Sequence, residues 1–255
     1  MTRTAVDVNV LRAALTGPGR LWATINAVPT TGSTNADLAA AAQAGAASGT
    51  VLVAEHQSAG RGRFARRWET PPGASVAISM LVRPDGVAPE RWLWLPLITG
   101  IAVADALGAL GVRPEVKWPN DVLVDGRKLC GILSERVGGA AVIGVGINTA
   151  LDAGELPVPT ATSLRLEGCD ASATTVVAEV LAAFEPAYRR WASGAELRHW
   201  YGERCATVGR RVRVLESETR SVEGTATGVD ALGRLLVHTP TGERAFAAGD
   251  VLHLR

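Results

Sequence analysis

A change in hydrophobic period near residue 207 is the feature that most constrains the fold of this 255-residue chain. From Val208 onward, short runs alternate apolar and polar residues with a period of two, which is the pattern of strands that bury one face. We predict five such strands, at residues 211–215, 222–228, 235–239, 244–247 and 251–254. Five short strands in about 50 residues predict a small all-β barrel. We therefore divide the chain into a first domain of residues 1–206 and a second domain of residues 207–255.

The first domain alternates strand-like and helical stretches. We predict strands at residues 51–55, 75–82, 122–124, 129–135 and 140–148, and helices at residues 36–47, 90–110, 174–191 and 194–204. Two local signals mark their ends. Asp125-Gly126 is a hairpin turn signal, and Ser33-Thr34-Asn35 supplies N-cap residues to the first helix. The first domain is therefore predicted to contain both types of element, unlike the second.

Charge and cysteine content argue against several classes of protein. Lys and Arg number 26 against 25 Asp and Glu, whereas a nucleic-acid binder usually carries a basic stripe and a high pI. The three cysteines are scattered without a CxxC pair, which predicts reduced thiols in a cytosol. No secretory signal is visible, and the most hydrophobic stretch, residues 92–104, is too short to span a bilayer. We therefore expect a soluble cytoplasmic protein without a membrane partner.

Residues 57–68 form the most distinctive local motif, a glycine-containing loop directly after a predicted strand. It holds four arginines, namely Arg61, Arg63, Arg66 and Arg67. Glycine lets backbone N–H groups approach a ligand closely, and arginine supplies planar, permanently charged donors for carboxylate and phosphate oxygens. We name residues 57–68 the Arg loop and expect it to close over an anion. Taken alone, the same pattern also fits an exposed basic loop.

Three further motifs carry groups suited to a ligand. Ser33-Thr34-Asn35 either caps a helix or faces a neutral polar ligand at the helix N-terminus. In Lys117-Trp118-Pro119-Asn120-Asp121, the apolar flanks of Lys117 predict a partly buried lysine that needs an anionic partner, although most lysines are solvated. Gly144-x-Gly146-x-Asn148 ends a strand, where paired glycines let a flat ring lie against the backbone. Neither GxGxxG nor GxxxxGK[ST] is present, which argues against a Rossmann or P-loop site.

In their order along the chain, these four motifs resemble the landmarks of the biotin–protein ligase family over about residues 20–255. The resemblance implies an α+β fold, with a mixed sheet flanked by helices like that of class II aminoacyl-tRNA synthetases, followed by a small SH3-like β-barrel. It also implies an ATP-dependent ligase that converts biotin and ATP to biotinyl-5′-AMP and pyrophosphate. The biotinyl group would then pass to one lysine of the biotin carboxyl-carrier domain of acetyl-CoA carboxylase or another acyl-CoA carboxylase.

The same resemblance implies roles for individual residues. The biotin-binding residues would be Ser33, Thr34, Asn35, Gln57, Arg61, Gly62, Arg63 and Lys117. The nucleotide-binding residues would be Arg63, Arg66, Trp68, Asn120 and Asn148, with Trp68 packing on adenine. Lys117 and Arg63 would be the catalytic residues, and Lys117 would lie beside the reacting carboxylate and α-phosphate.

These residue types suit the chemistry. A carboxylate and a triphosphate repel each other, and arginines, a lysine and Mg²⁺ on the phosphates would neutralise that repulsion. Positioned cations also stabilise the charge that develops on the α-phosphate. Since a charge-assisted hydrogen bond contributes roughly 1.5–3 kcal/mol, we expect loss of Lys117 to slow the reaction about tenfold or more. The sequence indicates neither the metal ligands nor a base for the incoming lysine.

Two departures from the family pattern bear on function. The Arg loop has Phe64 and Ala65 where the common form has Arg and Gly. We expect the loop still to close over the ligand and exclude water, with Phe64 adding apolar cover. Some family members carry an N-terminal DNA-binding domain, but only about 20 residues precede the resembling region here. We therefore expect an enzyme that does not bind DNA.

Three other functions stay open on the sequence alone. A lipoate–protein ligase shares the fold and the acyl-adenylate chemistry, although its usual Arg-Arg-x-x-Gly-Gly motif is missing. An RNA-binding module with an RG-type loop would use the same arginines, but the chain has only three Phe and two Tyr for stacking on bases. A ligand-binding regulator without catalytic activity is the third, although every expected catalytic position is filled.

Overall fold

The computed structural model of the protein describes residues 5–217 and 219–254. Within those residues the first sheet has seven strands: β1 (Thr24–Thr31), β2 (Thr50–Gln57), β3 (Ser75–Val82), β4 (Glu115–Lys117), β5 (Asp121–Val124), β6 (Arg127–Val137) and β7 (Ala140–Asn148). The α-helices are α1 (Val8–Leu15), α2 (Thr34–Gln43), α3 (Trp94–Ala109), α4 (Ala173–Ala192) and α5 (Arg198–Gly202). The second sheet comprises β8 (Arg211–Leu215), β9 (Ser221–Val229), β10 (Leu235–Thr239), β11 (Gly242–Phe246) and β12 (Asp250–His253).

The first sheet is mixed and carries helices on both faces. Its strand order is β1-β2-β3-β7-β6-β5-β4, with β1 and β2 parallel and the other neighbouring pairs antiparallel. All of β3 is buried, as expected for a strand covered on both faces. Val76, Ile78 and Met80 belong to the large core that includes α3 and α4, whereas Leu81 packs in a smaller core with Leu38 of α2. This division follows the two-residue period of a strand.

The middle of this sheet agrees closely with the sequence prediction. The strands predicted at residues 75–82 and 140–148 are β3 and β7, and the predicted hairpin joins β5 to β6. Both turn residues have positive φ, 49° for Asp125 and 76° for Gly126, as a two-residue turn of this kind requires. The hairpin pairs Asp121, at the start of β5, with Gly131 of β6.

The most apolar helix is a core element. A short 3₁₀ helix, Pro89–Leu93, leads directly into α3. The joined stretch, Pro89–Ala109, is long and apolar enough to cross a membrane. It is longer than its most hydrophobic part, residues 92–104, which alone is too short to span a bilayer. However, 61% of the 18-residue segment that gives this stretch its apolar character is buried inside the fold, where α3 packs along α4. The stretch is therefore buried as a core helix is, within the part of the chain that the structure describes.

The second sheet is antiparallel, with the strand order β11-β10-β9-β8-β12, and its strands match the five predicted ones within one or two residues. Two indole groups of the first domain donate to its backbone. Trp94 Nε1 donates to Ala231 O at 2.9 Å, and Trp118 Nε1 donates to Gly233 O at 3.1 Å. Both indoles are almost fully buried, and one hydrophobic core continues from α3 and α4 into the second sheet. The boundary between residues 206 and 207 stays a prediction.

Two elements near the start of the described chain were not predicted. Helix α1 begins after Asp7, whose side chain caps it by accepting hydrogen bonds from Asn9 N and Val10 N. Strand β1 lies at one edge of the first sheet, and its mixed exposure hides the two-residue period of a half-buried strand. The helix therefore had a readable cap signal, whereas the strand had no clear pattern.

Two predicted helices have different ends in the structure. Helix α2 begins at Thr34 instead of residue 36, because Ser33 caps it, and it ends before Gly45, where φ is 90°. Helix α5 is confined to Arg198–Gly202 instead of residues 194–204. The chain leaves α4 through Gly194, at φ 82°, and is irregular until α5 begins. A glycine in the left-handed region is a common way to end a helix.

Candidate active site

A cleft of about 150 Å³ opens on the first sheet beside the start of α2. Its walls come from the N-terminus of α2, the Arg loop, strands β5, β6 and β7, and the first residue of β12. Most of the predicted site residues line it, namely Ser33, Thr34, Asn35, Gln57, Arg61, Gly62, Arg63, Arg66, Trp68 and Asn120. Lys117 and Asn148 are not among the lining residues. The fold thus brings together residues that are far apart in the sequence.

The N-terminus of α2 forms a polar end of the cleft. Ser33 Oγ accepts a hydrogen bond from Ala36 N at 3.4 Å. Thr34 donates from its backbone N–H and from Oγ1 to Gln57 Oε1, at 2.9 and 3.0 Å, which fixes the amide of Gln57. Ser79 of β3 lies behind them, with its Oγ 2.7 Å from Thr34 Oγ1. Helix capping and ligand contact, which the sequence posed as alternatives, are therefore compatible: Ser33 caps α2 and also lines the cleft.

Asn35 connects this polar end to strands β6 and β7. Its Nδ2 donates to Leu133 O at 3.1 Å and to Glu135 Oε2 at 2.8 Å. Arg61 of the Arg loop pairs with the same carboxylate at 3.2 Å. Gly144 of β7 lies against the Asn35 side chain, where a Cβ would overlap the amide. Glu135 therefore positions both Asn35 and Arg61, a role that the sequence analysis missed.

Trp68 lies over glycines of the β6–β7 pair. A Cβ on Gly146 would lie 2.7 Å from the indole, and one on Gly131 would lie 3.0 Å from it, so glycine is needed at both positions. The flat ring that the sequence predicted against β7 is thus the protein's own Trp68. Its Nε1 is buried without a hydrogen-bond partner among the described residues. Buried donors are almost always paired, so this N–H is available to a ligand acceptor.

The Arg loop is bound on both sides of the cleft. Arg63 Nη1 donates to Asn120 Oδ1 at 3.1 Å and to Gly249 O at 3.2 Å. Arg66 forms an ion pair with Asp250 of β12. Burial lowers the pKa of Arg63, and the negative charge of Asp250 opposes that effect. Contacts within the protein therefore hold Arg63 and Arg66 at the cleft.

Phe64 lies at the tip of the Arg loop with φ 56°, in the left-handed region, and 60% of its surface is exposed. The guanidinium groups of Arg63 and Arg66 lie over its ring, 4.9 and 5.9 Å from the centroid. Such contacts are attractive because the face of an aromatic ring is electronegative. The role of Phe64 as apolar cover stays a prediction, but the ring also contacts two arginines of the cleft.

Lys128 is a cleft cation that the sequence analysis missed. It lies near the start of β6, and its Nζ is 2.6 Å from Asp121 Oδ1 across the hairpin. Both residues line the cleft, and the ammonium lies 5.8 Å from the centroid of Trp68. The sequence could have identified this residue, because the predicted hairpin turn places the opposite charges of Asp121 and Lys128 on neighbouring strands.

Lys117 is not among the residues that line the cleft, and its predicted catalytic and biotin-binding roles stay predictions. It ends β4, an edge strand of the first sheet, and it is half-buried. Burial lowers the pKa of Lys117, and the negative charges of Asp121 and Asp250 oppose that effect. The partial burial and the anionic neighbours that we expected are present. The lysine that reaches the cleft, however, is Lys128 on the second arm of the next hairpin.

Asn148 also lies outside the cleft. Its Nδ2 donates to Thr162 O at 2.9 Å, and its Oδ1 is buried without a hydrogen-bond partner in the described part of the chain. The side chain therefore holds the loop around Thr162 against the end of β7. A contact between Asn148 and a nucleotide stays a prediction.

Positive charge predominates around the cleft. The lining cations are Arg61, Arg63, Arg66, Arg67 and Lys128, and the lining carboxylates are Asp121 and Asp250. This local excess suits anionic ligands. Over residues 5–217 and 219–254, no cluster of three or more His, Cys, Asp or Glu side chains could hold a metal ion, and both lining carboxylates are paired with cations. A metal held by the protein alone does not fit this site, so Mg²⁺ stays a prediction as a companion of the nucleotide phosphates.

Comparison with known proteins agrees with this geometry. Residues 28–152 match the Biotin/lipoate A/B protein ligase family, and residues 207–254 match the biotin protein ligase C terminal domain. The chain belongs to the biotin–protein ligase family. It is 40% identical over 260 residues to a biotin–[acetyl-CoA-carboxylase] ligase of Mycobacterium tuberculosis, covering 99% of this chain and 97% of that protein. A protein of the same name from Paracoccus denitrificans is 33% identical over 237 residues, covering 87% of this chain and 97% of that one.

The likeness extends to solved structures. The biotin protein ligase from Aquifex aeolicus in complex with biotin and ATP has a TM-score of 0.79 and 26% identity, covering 92% of this chain and 100% of that one. The predicted fold class, a mixed sheet flanked by helices with a small SH3-like domain after it, is confirmed, and so is the predicted family.

Proposed function

We propose that the cleft binds biotin and ATP, joins them as biotinyl-5′-AMP and then passes the biotinyl group to a lysine of a biotin carboxyl-carrier domain. Membership of the family makes the protein an ATP-dependent biotin ligase, and two relatives are named for acetyl-CoA carboxylase as the protein acted on. The observation that carries the proposal is that Lys128 and Trp68 line the same cleft as the polar N-terminus of α2 and a group of arginines.

The polar end of the cleft, at the N-terminus of α2, suits the ureido ring of biotin. A ureido group has two N–H donors and one carbonyl acceptor in a fixed plane. The N-terminus of α2 with Gln57 offers hydroxyl and amide groups that can both donate and accept. These side chains are held by one another, as the bonds from Thr34 to Gln57 show. A pocket whose polar groups are fixed in advance loses little entropy on binding.

The adenylation step needs cations more than it needs a base. A carboxylate oxygen of biotin attacks the α-phosphorus of ATP, the bond from that phosphorus to the bridging oxygen of the β-phosphate breaks, and pyrophosphate leaves. Lys128, whose ammonium pairs with Asp121 near Trp68, would neutralise the reacting anions. Arg63 and Arg66 line the same cleft and would stabilise charge on the phosphates.

The transfer step breaks the mixed anhydride. The acceptor amine attacks the acyl carbon, the bond from that carbon to the phosphate oxygen breaks, AMP leaves and the nitrogen loses a proton. Until then the adenylate must be kept from water. Support comes from the Arg loop, which is bound to Asn120, to Glu135 and to the second sheet and so covers the cleft.

Transfer of labelled biotin to a purified carboxyl-carrier domain, with ATP and Mg²⁺, tests the proposal. The two lysines provide a matched pair of variants. We expect Lys128→Met to slow labelling by about tenfold or more, since a charge-assisted contact is lost from the transition state. The expected loss of about tenfold or more on removal of Lys117 stays a prediction, because the cleft residues Asp121 and Asp250 act on its charge, and Lys117→Met tests it in the same assay.

Other outcomes would point elsewhere. If Lys117→Met abolished labelling and Lys128→Met did not, the assignment of the central cation to Lys128 would be wrong. Biotin-dependent exchange of pyrophosphate into ATP, measured without any acceptor, separates a failed adenylation from an unsuitable acceptor. Labelling with lipoate but not with biotin would favour the lipoate branch of the family.

A further inference from the structure

Strand β3 carries one polar side chain in the middle of its buried apolar run. Ser79 is fully buried, and it faces α2 together with Leu81, whereas Ile78 and Met80 face the large core. It pairs across the sheet with Gly144, a residue of the cleft. Ser79 itself is not among the lining residues, so any effect that it has on a ligand must pass through a neighbouring side chain.

The amide of Asn35 has one orientation that suits its neighbours. Its Nδ2 lies 3.1 Å from Leu133 O and 2.8 Å from Glu135 Oε2. A backbone carbonyl and a carboxylate only accept hydrogen bonds, so Asn35 must direct its NH₂ group toward them. Asn35 Oδ1 then lies 2.6 Å from Ser79 Oγ. Since an amide oxygen has no proton to give, Ser79 is the donor in this contact.

The bond to Asn35 uses the only proton of the Ser79 hydroxyl. Ser79 Oγ also lies 2.7 Å from Thr34 Oγ1, and two hydroxyl oxygens at that distance have a proton between them. Thr34 must therefore supply this proton. Thr34 Oγ1 is also 3.0 Å from Gln57 Oε1, so distances alone allow it to donate to either oxygen. The polarity of the chain of bonds decides for Ser79, because Ser79 has no second proton.

This chain of hydrogen bonds leaves acceptors at the polar end of the cleft. Gln57 Oε1 accepts a hydrogen bond from Thr34 N at 2.9 Å, which uses one of its two lone pairs. Thr34 Oγ1 also has a lone pair to offer, since its proton lies toward Ser79. Thr34 and Gln57 both line the cleft. A ligand that brings an N–H group to these two oxygens therefore supplies a donor that the protein lacks there.

We propose that Ser79 is a positioning residue, which fixes the direction of the Thr34 hydroxyl and so makes this end of the cleft select ligands with N–H donors. The inference rests on the proposed function, in which the ureido N–H groups of biotin are those donors. The dithiolane ring of lipoate has no N–H group and would leave both acceptors unpaired, which is costly in a buried site. A residue that lines no part of the cleft thus contributes to the choice between the two acids.

Equilibrium dialysis with labelled biotin, in the absence of ATP, tests the effect on binding. In Ser79→Ala the Thr34 proton turns to Gln57 Oε1 and occupies the acceptor that a ligand N–H needs. We therefore expect the Kd for biotin to rise about threefold to tenfold, with the KM for ATP unchanged. Thr99→Val is the matched control, because it removes another fully buried hydroxyl, which donates to Leu95 O within α3. It should leave the Kd for biotin unchanged, and an unchanged Kd in Ser79→Ala would overturn the proposal.

A double-mutant cycle distinguishes action through Thr34 from a general loosening of β3. In Thr34→Val no hydroxyl remains for Ser79 to direct, so adding Ser79→Ala should change the Kd for biotin by less than about twofold. An equal effect of Ser79→Ala in both backgrounds would overturn the proposal. If Ser79→Ala lost its circular dichroism spectrum, Ser79→Cys would replace it, since a thiol is a weak donor and a weak acceptor. An unchanged Kd in that variant would overturn the proposal.

Neutron diffraction from a perdeuterated crystal locates the deuterons themselves. We expect the Ser79 deuteron to point at Asn35 Oδ1 and the Thr34 deuteron to point at Ser79 Oγ. A Thr34 deuteron directed at Gln57 Oε1 would overturn the proposal. The measurement needs no substrate. It therefore tests the role of Ser79 even if the unaltered protein bound no biotin, a result that would make the proposed function wrong.

Discussion

At the scale of single residues, the space left by absent side chains shapes the cleft. Trp68 lies where the Cβ atoms of Gly131 and Gly146 would otherwise be, and the side chain of Asn35 lies where that of Gly144 would be. Each glycine is thus required for close packing and not for an unusual backbone angle, since none of the three has positive φ.

Gly146→Ala tests this packing. The added methyl would lie 2.7 Å from the indole of Trp68, so the ring must move from its place beside Lys128. Overpacking of this kind costs about 1–3 kcal/mol, and we expect the KM for ATP to rise about tenfold. Measuring adenylate formation against ATP concentration checks the effect.

Gly139→Ala serves as the control for Gly146→Ala, because no atom lies within 4 Å of the Cβ that it would add. It should leave the KM for ATP unchanged. Equal KM values for Gly146→Ala and the unaltered protein would mean that Trp68 moves freely and does not form a wall of the nucleotide site.

The two lysines show how far site residues can be read from the sequence. The motif Lys117-Trp118-Pro119-Asn120-Asp121 is rare enough to mark the region, and Asn120 and Asp121 do line the cleft. Lys128 also lines the cleft, because the pairing of β5 with β6, in the hairpin after this motif, brings it to Asp121. Pairing between strands is a property of the folded sheet, and no single motif carries it.

At the scale of elements, the end of β12 forms a polar network between the two domains. Thr207 Oγ1 accepts a hydrogen bond from Trp118 N at 3.2 Å and lies 3.0 Å from His253 Nε2. Since the hydroxyl accepts from one side, its own proton is available to an unprotonated Nε2. Burial, with the nearby charges of Lys117 and Arg210, lowers the pKa of His253 to about 4.

The protein should lose stability in acid partly through His253. Because the folded-state pKa is about 4 and an unfolded histidine titrates near 6.5, the unfolded chain takes up a proton between these values that the folded protein does not. Stability from this group is therefore complete above about pH 6.5 and is lost as pH falls toward 4. We expect His253→Gln to flatten the fall of Tm across that range in thermal scans.

His238→Gln is a suitable comparison for His253→Gln, because His238 lies on β10 of the same sheet with an exposed side chain. It should reproduce the pH dependence of the unaltered protein. Parallel Tm curves for His253→Gln and the unaltered protein would show that folding does not lower the pKa of His253.

Elements with a strong period were predicted and those without one were not. β3, β7 and β10 were located to the residue because each is a run of buried or alternating side chains. β1 was missed, because an edge strand with mixed exposure has no such run. Helix α5 was predicted too long, because apolar spacing does not reveal that Gly194 turns the chain.

At the scale of the whole molecule, the two sheets share one core. The indoles of Trp94 and Trp118 are buried between them and bond to the backbone of the turn before β10. The family and the mixed sheet were predicted from sequence, but this continuity was not, since the change of pattern near residue 207 indicated two separate units.

Trp118→Ala should destabilise both units together. Removal of a buried tryptophan typically costs about 3–5 kcal/mol, and a shared core predicts one cooperative unfolding transition for both sheets. Urea denaturation followed by hydrogen exchange on β3 and on β10 measures both. Trp200→Ala, at a partly buried indole between Arg190 and Arg204, should cost less. Separate transitions for the two strands would contradict a shared core.

The spacing of Gly144 and Gly146 along β7 has a consequence for the length of the acid that the enzyme accepts. Asn35 packs on the first glycine and Trp68 on the second, so the two side chains pack two residues apart on one extended strand, about 6.8 Å. Because both glycines belong to one paired strand, the backbone sets this separation. Under the proposed function, an acid one methylene shorter or longer than biotin would present its carboxylate at a different distance from Lys128, and a misplacement of about 1 Å can slow a reaction about 100-fold.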